Sequence, residues 1–432
     1  MNRTIVFLFA IQLYYSTSVV AQQCPKKFIE AQYQRQFYPP GAGLSQQYPL
    51  IGLYREALQE QDRYDDGVNI SVINDGNTQA VNAYPYIYNA IRTNDIIIIN
   101  ECHTMPQHRA LLYSIADSFS TLGVQSLFLE ALAYTPDDSV YSSYSNDVFG
   151  ALYTGENVYN QTIHKLLNKN IIIRSYELNN DLDTTTIKNK KYVICKQERD
   201  WIPISADDYV IKNLFSTEDY AQRDAQQALH IYEKMLKNSL QKIVVFCGYS
   251  HAWKAKGHMA GILEHISKKK IFSIDQMILN EHFNTGLEDK LFAKYANTEY
   301  PLTFVNDKRQ LIHKIYFPVT KDSLNFLVDM EIATPRSVYV DNRPTWLELG
   351  KDRKRYPLSK YVDVKTLPKD VLVAVYENNE YNSAKREVTP EDIIQVIGEA
   401  NNYDVILTPQ KKYRMLIYKD GKIIVNLLID TL

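Results

Sequence analysis

The run IIIINECHTMPQHRALL, residues 96 to 112, decides the fold. Four isoleucines pass directly into Asn100, Glu101, Cys102 and His103, and Pro106 opens a pattern of helical spacing. A continuous β-branched run without polar alternation is a strand buried on both faces. Such a strand ends abruptly in a carboxylate and an imidazole where its carboxyl end forms the floor of a site.

Working outward, the same rhythm recurs. Apolar positions 111, 112, 115, 116, 119 and 122 predict a helix over 106–123, with Pro106 in its first turn and Gly123 as its C-cap. VQSLFLE (124–130), IIIRSYE (171–177), KIVVFCG (242–248) and IFSID (271–275) are further apolar strands. Helical patterns at 83–91, 160–170, 218–240 and 258–270 precede or separate them. Strands alternating with helices give βαβ units, hence an α/β fold: a parallel-sheet core with flanking helices over residues 84–280. Residues 22–83 form a mixed N-terminal lead-in with a helix near 48–61, and 178–206 interrupt the rhythm as an insertion. Residues 281–432 change character and form a smaller C-terminal α+β region. There TPEDIIQVIGEA (389–400) is expected to be a helix, with Thr389 as N-cap and Pro390 at its first position. YRMLIY and KIIVNLLI, around Lys419-Asp420-Gly421, form a closing hairpin.

The first 21 residues are set apart as a signal peptide. Arg3 supplies its positive end, residues 5–13 are an apolar stretch too short to span a bilayer, and Val19 and Ala21 place cleavage after Ala21. The mature chain is therefore expected to be exported, periplasmic or extracellular, with no transmembrane segment. Forty-eight basic and 50 acidic side chains give a net charge of −2, without the basic footprint of a nucleic-acid binder. Cys24, Cys102, Cys195 and Cys247 are too scattered for a disulfide framework, and Cys102 and Cys247 close two apolar strands as small buried residues. Thirty-three tyrosines accompany frequent Ile, Asn and Lys, a compositional bias from which no function follows.

In an open parallel sheet, ligands bind beyond the carboxyl ends of the strands. The five strands deliver Glu101 and His103, Glu130, Glu177, Ser250 and His251, and Asp275 to that edge. Taken singly, Glu101 and Glu130 are more simply partners of Arg109 and Arg223; as a set at successive strand ends they point to one cleft. His103, His251 and Glu130 have the donors to hold a divalent metal and leave a position for water. Without metal, an imidazole oriented by a carboxylate serves as general base.

NECHTMPQHRALL resembles the Gly-Glu-x-His motif of the superfamily that unites erythromycin esterases, haem-binding ChaN-like proteins and Tiki/TraB metalloproteases. SLFLEAL is similar to its second motif, a strand ending in Glu, and CGYSHAWKAKG to its last, a strand followed by Gly-x-x-His. AQRDAQQAL resembles the Arg-Asp helix that precedes that last strand. The resemblance spans about residues 84–280. It implies active-site roles for Glu101, His103, Glu130 and His251, with Arg223 and Asp224 in support. Asn100 departs from it, standing where the family has Gly; Asn tolerates unusual backbone angles.

Three functions follow as expectations. The first is hydrolysis of an ester, lactone or amide bond in a small-molecule or peptide substrate, metal-assisted or not. The second is binding of haem or a metal complex for uptake without turnover, with a tyrosine as iron ligand. The third is a serine hydrolase: Gly248-Tyr249-Ser250-His251-Ala252 approaches a nucleophile elbow, with Asp275, His282 and His313 as potential partners of Ser250. His108, His164, His230, His258 and His265 lie on predicted helices as surface or packing residues.

Overall fold

The computed structural model describes residues 28–29, 31–32, 42–63, 78–130, 132, 152–177, 183–187, 190–194, 219–255, 257–312, 327–383, 388–398 and 403–431. The expected signal peptide, Cys24, Cys195, His313 and much of the expected 178–206 insertion lie outside these residues. Within that insertion, Asp183–Ile187 and Lys190–Ile194 pair as an antiparallel hairpin.

The elements that position the site are α1 (Tyr54–Asp62), β1 (Gln79–Asn82), α2 (Tyr84–Thr93), β2 (Ile96–Glu101), α3 (Pro106–Ala116), β3 (Ser126–Leu129), α4 (Asn157–Asn168), β4 (Ile172–Ser175), α5 (Asp219–Lys237), β5 (Ile243–Gly248), α6 (Met259–Ser267), β6 (Ile271–Asp275), β7 (Leu302–Val305) and β8 (Met330–Glu331). Six of them form one all-parallel sheet in the order β8-β6-β2-β5-β3-β4. The α/β architecture is therefore present. Its sixth strand, β8, comes from beyond residue 280.

The continuous apolar runs explain the layering. Ile97, Ile99, Leu127, Leu129, Val244 and Phe246 face α2, α3 and α4, packing on Ile87, Leu111, Ile115 and Ile163. Their alternates Ile96, Ile98, Phe128, Ile243, Val245 and Cys247 face α5 and α6, packing on Leu229, Met235, Ile262 and Leu263. Each fully buried aliphatic side chain contributes about 1.5–3 kcal/mol, so neither face of the sheet can be left to solvent. Cys102 and Cys247 are buried and free.

Two expected helices differ. The α-helix from Pro106 ends at Ala116 and continues as turns to Gly123, whose φ of 78° closes the segment. Residues 392–396 are a strand rather than a helix. In β9 (Val371–Glu377), β10 (Asp392–Val396), β11 (Lys412–Lys419) and β12 (Lys422–Asp430), the C-terminal region forms an antiparallel sheet in the order β10-β9-β11-β12. The Thr389-Pro390 start signal is local, whereas the Ile393-Ile394-x-Val396 run gains a full set of ladder bonds to β9. The β11–β12 hairpin is present, turning at Asp420-Gly421.

The lead-in is integrated with the C-terminal region. β1 pairs antiparallel with β7, and Phe28, Leu50, Ile51 and Ala57 pack on Leu372, Ala374 and Leu416.

Candidate active site at the carboxyl edge of the parallel sheet

β5 runs between β2 and β3, so the residues after these three strands meet. Glu101 lies opposite Gly248, and Leu129 opposite Phe246. His103 and Glu130 approach each other across Gly248. A Cβ placed there would stand 2.5 Å from His103 Nε2 and 3.2 Å from Glu130 Oε2. Only a residue without a side chain lets the imidazole reach the strand end.

His103 Nδ1 lies 3.0 Å from Glu101 Oε1. Glu101 is 2% exposed and takes two bonds from Arg109, from Nε at 2.7 Å and from Nη2 at 3.2 Å. Arg109 Nη2 also donates to the His103 carbonyl at 2.8 Å. The imidazole stacks on Tyr153 with ring centres 4.0 Å apart, and the edge of Tyr249 meets it at 4.9 Å. Burial alone raises the Glu101 carboxyl, but Arg109 and His103 outweigh it and hold its pKa below the ordinary value.

The second half of the site is built on α5. Asp224 bonds Nδ1 of His251, and its other oxygen lies 3.6 Å from His258 Nδ1. His251 Nε2 stands 3.1 Å from Arg223 Nη1 and 3.5 Å from Glu130 Oε1. In the neutral ring Nε2 accepts from Arg223; in the imidazolium it faces Glu130. Arg223 also binds Glu130 Oε1 at 2.5 Å and clasps Glu177 through Nε at 3.1 Å and Nη2 at 2.6 Å. The Gly248 amide donates to the remaining Glu130 oxygen. Burial opposes ionisation of Glu130, yet His251, His103 and Arg223 together keep it below the ordinary carboxylate range. Burial likewise opposes charge on His251, and Glu130 and Asp224 outweigh it, so its pKa is raised. Asp224 is held low against its own burial by His251 and His258.

All six residues named from the sequence, Glu101, His103, Glu130, Arg223, Asp224 and His251, thus occur in one contact network. Glu177 joins it through Arg223. Asp275 does not. It is buried at the end of β6, where Asn100 and the amides of Met277 and Ile278, at 2.9 Å and 3.0 Å, bond its carboxylate.

The donor set does not fit a divalent metal. Among the described residues no group of three His, Cys, Asp or Glu side chains is placed to hold an ion. The physical reason is Arg223, a fixed cation already bonded to both His251 and Glu130. In this arrangement His103, His251 and Glu130, the residues expected to ligate a metal, are engaged by Glu101, Asp224 and Arg223.

The serine elbow is also not formed. In an elbow the nucleophile itself takes the strained turn; here the left-handed residue is Tyr249, at φ 46°, and a 3-10 turn follows. His251 is turned to Asp224, and His282 pairs through Nδ1 with Asp62 at 2.9 Å. Nor does Asn100 occupy an unusual backbone region. It lies in β2, and its amide ties three segments: it donates to Tyr249 O at 2.9 Å and to Asp275, and accepts from Gln276 N at 2.7 Å.

Two contributors escaped the sequence, and three others were named there without a role in the site. Arg109 was named only as the simpler, structural partner of Glu101. Tyr153 and Glu156 sit just before α4 in a stretch without periodicity. His258, expected on a helix as a surface or packing residue, lies at the N-cap of α6, 3.6 Å from Asp224. His108 is wholly buried: Nδ1 accepts from the Cys102 amide at 3.0 Å and Nε2 meets Asn280 Oδ1 at 2.9 Å.

No family model and no curated protein matches the chain. Among solved structures it is similar to the type III effector HopBA1, at 10% identity over 63% of this chain and 99% of that one, with a TM-score of 0.32. It is also similar to ChaN of Campylobacter jejuni, whose structure is described as showing cofacial heme binding, at 11% identity over 61% of this chain and 99% of that one, with a TM-score of 0.31.

Proposed function

We propose that this chain is a hydrolase that cleaves an ester, lactone or amide bond of a small molecule or peptide by metal-free acid–base catalysis. The observation that carries this reading is the pair of histidines facing one site, each oriented by its own buried carboxylate. Glu101, locked by Arg109, accepts the Nδ1 proton of His103 and leaves Nε2 as the acceptor that takes a proton from water. Tyr153 and Gly248 hold the ring in that plane. His251 has its pKa raised by Glu130 and Asp224, so it suits the opposite role, giving a proton to the leaving group. Arg223 supplies positive charge beside the developing oxyanion. A base and an acid, each oriented by its own carboxylate and facing the same site, is the arrangement that general acid–base chemistry needs.

We further propose that the reaction takes place outside the cytoplasm, on the strength of the N-terminal sequence. Among the described residues no helix is long and apolar enough to cross a membrane.

The test is turnover of para-nitrophenyl esters by His103→Ala and His251→Ala, with the fold checked by circular dichroism. Both variants should lose activity; unchanged rates in both would reject the assignment. Haemin titration distinguishes the binding alternative: a Soret shift saturating at simple stoichiometry, with no ester turnover in the wild type, would favour haem carriage over hydrolysis.

A further inference from the structure

A second buried polar run leaves the site on the side away from His251. Arg109 is shared. Besides Glu101, its Nη1 lies 3.4 Å from Glu156 Oε2. Glu156 is 0% exposed and caps α4, accepting from the amides of Val158 at 3.0 Å and Tyr159 at 3.1 Å. The Tyr54 hydroxyl lies 3.4 Å from the same carboxylate and 3.0 Å from Asn157 Oδ1. Asn157 Nδ2 donates to Asp392 Oδ1 at 3.0 Å. Asp392 is in turn bonded by Arg343, and its other oxygen accepts from the Ile406 amide at 2.7 Å. Arg343 lies over the Tyr54 ring, 5.8 Å from its centre. Apolar packing closes the run: Leu347, Leu349 and Ile406 bury Ala110, Tyr113 and Val158, neighbours of Arg109 and Asn157.

We infer that Glu156 is a positioning residue for the Glu101–His103 pair, and that the C-terminal region sets it through Asp392, Asn157 and Tyr54. The inference rests on the proposed role of His103 as base, and extends it to a region with no residue in the reacting cluster.

The argument is one of competition inside a low-dielectric interior. Arg109 has one positive charge and two buried carboxylates. The closer it is drawn to Glu156, the less it neutralises Glu101, and the more Glu101 can support a proton on His103. The charged or titratable groups facing Glu156 are Arg109 from α3 and Tyr54 from α1, with Arg343, Arg353 and Asp392 behind Tyr54. Those facing His103 are Glu101, Glu130, Tyr153 and Tyr249. A cap residue with only a structural duty would not need a hydroxyl and an amide leading from it to a buried Arg–Asp pair in another region.

The experiment follows the Cε1–H signal of His103 by NMR in the full chain, assigned by its loss in His103→Asn. Its titration midpoint is compared in wild type, Glu156→Gln, Asp392→Asn, Tyr54→Phe and the last two combined. Glu156→Gln keeps an acceptor for the helix cap and removes the charge. Its midpoint should fall by on the order of half a pH unit, since Arg109 then turns wholly to Glu101. Asp392→Asn should shift it the same way, and that shift should shrink in the Tyr54→Phe background, the non-additivity of linked groups. An unmoved midpoint in Glu156→Gln overturns the positioning role. Full additivity of Asp392→Asn and Tyr54→Phe overturns the link to the C-terminal region. Should Glu156→Gln not fold, Tyr54→Phe alone decides the first point: Glu156, deprived of the hydroxyl, draws Arg109 more strongly, so an upward shift supports the role, and no shift or a downward one overturns it. The signal is read without substrate, so failure of the hydrolase assignment is seen separately, as activity retained in His103→Ala.

Discussion

Nδ1 of His103 lies 3.0 Å from Oε1 of Glu101, and Arg109 holds that carboxylate from the far side with Nε at 2.7 Å. The imidazole is therefore fixed in orientation and tautomer by a group that is itself fixed. Glu101→Gln offers His103 an amide that can present a donor instead of an acceptor. Turnover of para-nitrophenyl acetate should fall by about 10²–10⁴-fold. Stability should also fall by about 3–5 kcal/mol, because Arg109 is left with a buried, poorly compensated charge. The double variant Glu101→Gln/Arg109→Met should regain much of that stability in urea titrations and none of the activity. Activity returning with stability would reduce Glu101 to a structural partner.

Gly248 is the point where β5 makes room for the base. In Gly248→Ala the new methyl would stand 2.5 Å from His103 Nε2, and the ring cannot simply swing away, being stacked on Tyr153 and bonded to Glu101. We expect activity to drop by at least about tenfold, since a misplacement near 1 Å can cost 10²-fold, with a stability loss of about 1–3 kcal/mol from overpacking. Steady-state rates and urea midpoints on the same preparation check both. Full activity in Gly248→Ala would mean that His103 does not work from this position.

The sheet was legible because its strands are unbroken apolar runs, and a run such as Ile96–Ile99 has no other stable place than between two helical layers. From parallelism alone, the polar residues that end those runs had to share an edge. What the sequence hid depends on contacts between distant segments. Strand β5 enters between β2 and β3 only after the long helix α5, so the closeness of His103 to Glu130 has no trace in spacing. Residues 392–396 show the converse failure: cap chemistry at Thr389 and Pro390 was a strong local signal, overridden by pairing with β9. Tyr153 and Glu156 were invisible because an isolated 3-10 turn, Leu152–Gly155, has no periodicity to detect.

His108 gives a pH dependence whose sign can be worked out. Burial is the largest influence on it and brings its pKa from 6.5 down to about 4. The unfolded chain therefore binds a proton below pH 6.5 that the folded chain refuses until about pH 4. Stability from this group is present above the unfolded value and is lost as pH falls, at up to about 1.4 kcal/mol per pH unit and about 3 kcal/mol in all. His251, with a raised pKa, contributes stability that is fully present below the unfolded value and fades only as pH rises through its folded one. Glu101, Glu130 and Asp224, held low, lose theirs only in stronger acid. Glu156 and Asp275, raised by burial, act in the opposite sense, so the comparison must be between variants. Urea titrations at pH 6.5 and 4.5 should show a smaller acid loss in His108→Gln than in wild type. Equal losses in the two proteins would place the acid sensitivity elsewhere.

Asn100 stands where the resembling family carries Gly, and its side chain does work that Gly cannot. Its amide nitrogen donates to Tyr249 O at 2.9 Å and to Asp275, and its amide oxygen accepts from Gln276 N at 2.7 Å. It thereby ties the strained turn before His251 to the ends of β2 and β6. Asn100→Gly would take one donor from the Asp275 carboxylate, which is 1% exposed, and leave it to the amides of Met277 and Ile278, and should cost about 1–3 kcal/mol. Asn100→Asp would place a second buried carboxylate against Asp275 and should cost more, with the loss easing in acid as one of the two takes a proton. Urea titrations at neutral and acid pH order the three proteins. If Asn100→Gly were as stable as wild type, the amide would be a passive replacement for glycine and the turn at Tyr249 would hold its shape unaided.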